Sequence, residues 1–222
     1  LFTDPDQQVI GLQYLKARTL EDRQSRAYYL ETVRLLADTY QKTGHLKDDG
    51  SLSFRRTPEE LFEGAKLLER NAGFSPTPRF RSYIQQCYKL MTESAPRLIV
   101  GSFIPENVVR SDQDYHIDLE MASYGRPSDD LAYFSLFSGV NMFDVASATH
   151  TYFEIPDSLF LASLLHLSML ASGIYFADMQ GELDKDKKQI VARRIDNFSS
   201  VLSNVRKPEF DELVAVLHRR TW

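Results

Sequence analysis

A carboxamide and three carboxylates, Asn107, Asp118, Glu120 and Asp130, fall within one short window of this chain. Asn and Asp side chains offer the hard oxygens that magnesium takes in near-octahedral geometry, together with phosphate and water oxygens. Taken singly, each carboxylate reads first as a solvated or loop-capping side chain. Glu120 divides evenly between an outer metal ligand and a buried ion-pair partner. Ser102, in the same window, is no proton acceptor near neutral pH, because its hydroxyl is essentially never ionised there. Binding of a hard divalent cation such as magnesium is therefore the chemistry to weigh, with a neutral hydroxyl in the same window.

The window implies its own scaffold. Leu98-Ile-Val-Gly-Ser-Phe-Ile-Pro-Glu-Asn-Val-Val109 reads as a strand, a tight loop and a second short strand. Ser111-Asp-Gln-Asp114 is a polar tip suited to a hairpin turn, His116-Ile-Asp-Leu-Glu120 continues the β element, and Asp130-Leu-Ala132 opens a helix. Upstream, Thr19-Leu-Glu-Asp22 and Thr57-Pro-Glu-Glu60 carry the marks of capped helix starts. Tyr28, Tyr29, Leu30, Val33, Leu36, Ala37 and Tyr40 repeat at helical spacing, ending near Gly44. Residues 45–56 form a polar loop or short hairpin. Further helices are expected over about 58–71 and 78–94, and from 128 onward with breaks near Pro156 and Pro208. The fold class is α+β, mostly helical: residues 1–18 as a hinge-like segment with an isolated strand near 9–15, and 19–222 as one compact helical lobe around a small β hairpin element.

The order and spacing of these segments resemble the phosphotransferase core of the aminoglycoside phosphotransferase and choline kinase-like branch of the protein kinase-like superfamily. There the loop reads H-G-D-x-x-x-x-N, followed by I-D-x-E and a D-L-A or D-I-A. Asn107, Asp118, Glu120 and Asp130 match, whereas Val100 replaces the His and Ser102 the catalytic Asp. Val9-Ile-Gly-Leu-Gln-Tyr-Leu-Lys-Ala-Arg-Thr-Leu-Glu-Asp22 is similar to the family's hinge strand, with Gln13 for Glu and Ala17 for Gly. The resemblance implies Mg and ATP as cofactors, Asn107, Asp118 and Glu120 at the metal, and Asp130 tying the loop backbone to the next helix. It makes Glu106, where Gly is common, a strained loop position if φ is positive there. The family's phosphate-covering loop, its Lys and its Glu belong to a small N-terminal lobe. No G-x-G-x-x-G run occurs in this sequence. A first residue of Leu, not Met, leads us to expect a chain that begins inside a longer product.

Composition narrows the partners. A net charge of −5 argues against a general nucleic-acid binder. The pairs Arg55-Arg56, Arg193-Arg194 and Arg219-Arg220 read as solvated surface, and the Asp178, Glu182, Asp184, Asp186 run, interleaved with Lys185, Lys187 and Lys188, as a solvated helix edge. The single Cys87 excludes an internal disulfide and suits a small buried position. Ser158 to Ala177 carries no formal charge over a length that could cross a bilayer. Its regular serines, its His166 and its acidic flanks suit a helix inside a bundle instead. No His lies at metal spacing to another His or Cys, so zinc is not expected, and His116 reads as a strand histidine. Cytoplasmic residence is expected, with no membrane or nucleic-acid partner. The leading expectation is a degenerate small-molecule kinase-like large lobe that transfers phosphate poorly and binds a ligand or partner, a missing N-lobe segment among them. The alternatives are an active ATP-dependent phosphotransferase on a small hydroxyl-bearing substrate, and a structural or assembly subunit.

Overall fold

The structure, a computed structural model, describes residues 2–4, 9–11, 18–19, 26–44, 56–110, 114–116, 121–140, 155–181 and 184–219. Helices α1 (Arg26–Thr43), α2 (Glu60–Ala72) and α3 (Pro78–Glu93) precede the loop segment, and α4 (Pro127–Ser138), α5 (Asp157–Gln180), α6 (Lys185–Ser203) and α7 (Pro208–Leu217) follow it. Short antiparallel strands complete an α+β fold that is mostly helical. β1 (Phe2–Asp4) pairs with β2 (Val9–Gly11), β5 (Val108–Arg110) lies between β3 (Arg18–Thr19) and β6 (Asp114–His116), and β4 (Arg97–Ile99) pairs with β7 (Ser123–Gly125).

The sequence signals act locally where the backbone has no better partner. Thr77 caps α3, its hydroxyl accepting from Phe80 N at 3.2 Å, with Pro78 in the first turn where a missing N–H costs nothing. Thr57-Pro-Glu-Glu60 behaves differently from expectation. Glu60 N donates to Thr57 O at 3.3 Å and Leu61 N to Pro58 O at 3.1 Å, so these residues make a lead-in turn and α2 begins at Glu60. Thr19 is no helix cap. It pairs with Val109 in the sheet, which gives its backbone a partner, and the first helix begins at Arg26. The strand expected near 9–15 exists as Val9–Gly11 but is paired with Phe2–Asp4, not isolated. Residues 45–55 lie outside the described residues.

α5 is the spine of the lobe. At 24 residues it is long and apolar enough to cross a bilayer, yet 67% of its most apolar window is buried inside the fold. Its apolar circumference is covered by α2, α3 and α4, and Ser163, Ser168, Ser172 and His166 are buried with it. Two glycines set its crossing with α2. A Cβ on Gly64 would lie 2.8 Å from Leu170 N, and one on Gly173 would lie 2.5 Å from Leu67 Cβ, so the two backbones meet only because both positions lack side chains. Cys87 is buried in α3 against this core, its thiol pushed up to about 11 by burial, which leaves it inert.

Candidate functional site

The loop after β4 leaves the sheet at Val100 and Gly101. Gly101 has φ +81°, and a Cβ there would stand 1.8 Å from Met121 O. Both the left-handed backbone and the contact with the segment before β7 therefore demand glycine.

Asp130, in the first turn of α4, receives this corner. Its Oδ2 accepts from Val100 N at 2.7 Å and from the Tyr40 hydroxyl at 2.5 Å, and its Oδ1 accepts from Gly101 N at 2.8 Å. Burial pushes the Asp130 carboxyl up to about 6, against the opposing pull of those donors, and the same burial raises the Tyr40 phenol well above its ordinary value. On the other side of the Gly101 peptide, Arg56 Nη2 donates to Gly101 O at 3.1 Å. Arg56 is only 6% exposed, contrary to the solvated surface that its Arg-Arg sequence suggests. Its guanidinium lies 5.5 Å from the Tyr133 ring centroid and 3.9 Å from Glu60 Oε2.

Next to Asp130, Asp129 faces a different set of groups. It takes Arg126 Nη2 at 2.8 Å and the Ser163 hydroxyl at 2.7 Å, and it accepts from Arg126 N at 3.3 Å, fastening the start of α4 to α5. His166 lies close by with Nε2 3.3 Å from Glu60 Oε2, and complete burial holds its imidazole below the ordinary value.

Beyond Gly101 the loop closes largely on itself. Ile104 N donates to Ser102 O at 2.9 Å and Asn107 N to Ile104 O at 3.0 Å. Phe103 is fully buried and stacks on Phe134 at 5.0 Å. Pro105–Asn107 form a single 3-10 turn, a conformation with negative φ, so Glu106 sits in a loop geometry that does not call for glycine. Glu106 instead points toward Arg194, 3.9 Å away, whose guanidinium accompanies Tyr175 and Phe137.

Asn107 Nδ2 donates to Ser102 O at 3.1 Å and to Ser102 Oγ at 3.3 Å. Ser102 and Asn107 are thus brought together, and the amide orientation leaves Oδ1, the atom that could ligate a cation, turned away from Ser102. That donor suits a magnesium ion held chiefly by phosphate and water oxygens. Asp118 and Glu120, which would supply its carboxylates, lie outside the described residues. Among the described residues no group of three His, Cys, Asp or Glu side chains could hold a metal. At the acidic edge, Asp184 caps α6 through Lys187 N at 2.9 Å, and Glu182 is outside the described residues.

Sequence reasoning placed Ser102, Asn107 and Asp130 in one neighbourhood but missed Tyr40 and Arg56. Tyr40 sat inside a helical apolar repeat that reads as core, and nothing in the sequence distinguishes its hydroxyl from a neighbour's. Arg56 offered only its adjacency to the Thr57 turn.

No protein-family model and no curated protein matches the sequence. Solved structures do match its fold. The choline/ethanolamine kinase family protein from Mesorhizobium loti superposes with a TM-score of 0.60 at 14% identity, over 99% of this chain and 76% of that one. The choline kinase LicA from Streptococcus pneumoniae gives 0.56 at 19% identity, over 85% and 69%. The amicoumacin kinase hAmiN gives 0.55 at 12% identity, over 84% and 63%. At these identities the likeness is one of architecture, and it agrees with the loop, strand and helix order read above. This chain has the kinase-like phosphotransferase fold of the choline kinases.

Proposed function

We propose that this chain is a kinase-like large lobe in which phosphoryl transfer is weak or lost, and whose loop serves to bind a nucleotide, another ligand or a partner. The observation that carries the reading is the Ser102–Asn107 pair. Where transfer needs a proton acceptor facing the attacking hydroxyl, this loop has a neutral hydroxyl hydrogen-bonded to a neutral amide. A positioned general base is worth roughly 100- to 10,000-fold in rate, so its loss alone moves the reaction from fast to slow. Magnesium and ATP remain the cofactors of the reading. LicA in complex with AMP and hAmiN with AMP-PNP and Ca2+ share the fold. Asn107 Oδ1, with Asp118 and Glu120, would hold magnesium, which would supply charge neutralisation at the phosphates. This chain's own part is then to orient that ion and the loop, with Asp130 and Arg56 fixing the Gly101 peptide.

The second reading, a working phosphotransferase on a small hydroxyl-bearing substrate, is favoured by the Asn107 oxygen turned away from Ser102 and by the Asp118 and Glu120 of the sequence. Incubation of the purified chain with magnesium, γ-labelled ATP and a panel of choline-like amines, aminoglycosides and simple alcohols separates the two. No transfer above the ATP blank is expected, alongside magnesium-dependent nucleotide retention on equilibrium dialysis. Robust magnesium-dependent transfer that disappears in Asp118→Ala would overturn the proposal.

A further inference from the structure

A cavity of about 620 Å³ opens behind the loop, between the C-terminal ends of α1 and α3 and the N-terminal end of α5. Its volume lies within the range of roughly 300–1,000 Å³ typical of small-molecule sites. Leu90, Ile155 and Leu159 give it an apolar wall. Leu90 is 37% exposed there, one of few large apolar side chains left open to solvent among the described residues. Two charged groups face the same space. Glu93 is accompanied by Lys89 at 3.8 Å, whereas Arg97 has no acidic partner among the described residues. The remaining polar wall is Gln41, Ser94, Ser158 and Tyr40, and the Tyr40 side chain is almost wholly buried between the cavity and Asp130.

We propose that this cavity binds a small amphipathic carboxylate, its chain against Leu90, Ile155 and Leu159 and its anion on Arg97, and that occupancy stiffens the loop through Tyr40 and Asp130. Charge and shape carry the ligand class. A guanidinium with no acidic partner among the described residues, beside an apolar wall, favours an anion with an alkyl or aryl body over a neutral or cationic analogue of the same length. The link to the loop is short. The phenol that lines the cavity donates to the same Asp130 oxygen that accepts Val100 N, and the other oxygen accepts Gly101 N. A ligand packed on the Tyr40 ring restrains that phenol, and with it the carboxylate that holds the loop corner. Such a site acts whether or not the loop transfers phosphate.

The test compares decanoate, decanol and decylamine, each kept below its micellar concentration, by calorimetric titration of the whole chain. Decanoate is expected to bind saturably, at least about tenfold more tightly than decylamine, a gap of about 1.4 kcal/mol. Arg97→Glu, at an exposed position that leaves the fold alone, should close or invert that gap, and Leu159→Trp should abolish binding by filling the cavity. Equal affinity for all three probes, or an unchanged preference in Arg97→Glu, would overturn the anion site. Should Leu159→Trp fail to fold, Leu159→Met, which keeps the volume, must retain binding for the cavity assignment to stand. Amide hydrogen exchange reads the coupling. With decanoate at ten times its Kd, exchange at Val100 and Gly101 should slow by about tenfold more than in α6. That difference should vanish in Tyr40→Phe, which keeps the ring and loses the hydroxyl. Equal slowing at the loop and in α6 would overturn the link.

Discussion

Val100–Gly101 and Ser102–Asn107 are consecutive stretches of one loop, held in different ways. The first is clamped from outside, with donors and acceptors brought by α1, by the turn before α2 and by α4: Tyr40, Arg56 and Asp130 meet on a single peptide corner. The second is closed mainly by its own backbone and by one amide, with Phe103 as its apolar anchor. The corner is thus a property of the whole lobe, because moving it disturbs three elements at once. The stretch beyond it is local. A side chain at 102 can change from acid to hydroxyl with little consequence for the packing beneath, so an unaltered scaffold can coexist with altered chemistry.

Gly101→Ala is the most severe way to break the corner. The new Cβ would stand 1.8 Å from Met121 O on a backbone with φ +81°, so either the loop or the segment before β7 must move. A loss of more than about 4 kcal/mol is expected, which is exceptional for one methyl group. Urea unfolding followed by circular dichroism checks it. Near-native stability would show that the clamp yields more easily than its bonds suggest.

Asp130→Ala comes next. It strands two backbone N–H groups and the Tyr40 hydroxyl in the core, at about 1–3 kcal/mol for each buried group left unpaired. The pH dependence sharpens the comparison. The folded Asp130 value of about 6 lies above that of an unfolded aspartate, so the native state holds this proton more tightly. The resulting stability is fully present below about pH 4, falls as pH rises, and is lost above about pH 6. Its full span is roughly 3 kcal/mol. In Asp130→Asn, which cannot titrate, that decline should be absent, and the gap to the parent protein should narrow between pH 4 and 6. A gap that widens over this interval would mean that the site favours the charged carboxylate.

Arg56→Met tests the other side of the Gly101 peptide. The carbonyl loses its buried donor while the apolar stem is kept, so a cost of about 1–3 kcal/mol is expected. A change within experimental error would place Arg56 among spectators and leave Asp130 as the corner's main support.

The same contrast explains what could be read in advance. The chemistry-bearing positions carry their own spacing, so Ser102, Asn107 and Asp130 were legible, as was the start of α3 at Pro78, because the break before it and the apolar repeat after it are local signals. Arg56 was misread as surface because an Arg-Arg pair looks the same whether it meets water or a carbonyl from a loop far along the chain. Thr19 was misread as a cap because its partner, Val109, is equally distant in sequence. Contacts of this kind are decided by tertiary pairing and leave no local signature. Asp118 and Glu120, although legible, lie outside the described residues.

Ser102→Asp should produce the smallest structural effect. Asn107 Nδ2 already points at this side chain, and a carboxylate there would receive the same hydrogen with charge assistance. Glu106, in the same loop, is turned toward Arg194. Stability should therefore change by less than about 1 kcal/mol, seen as a shift of the thermal midpoint by about 2–4 °C at most. Phosphoryl transfer by this chain should also stay absent. Positioning contributes roughly 7–11 kcal/mol to such reactions, more than a base provides, and these 222 residues contain no G-x-G-x-x-G run to hold the phosphates in line. Should Ser102→Asp alone raise magnesium-dependent transfer by the roughly 100- to 10,000-fold that a base supplies, the loop would have lacked only its proton acceptor. The stretch beyond Gly101 would then be as well organised for chemistry as the corner is for structure.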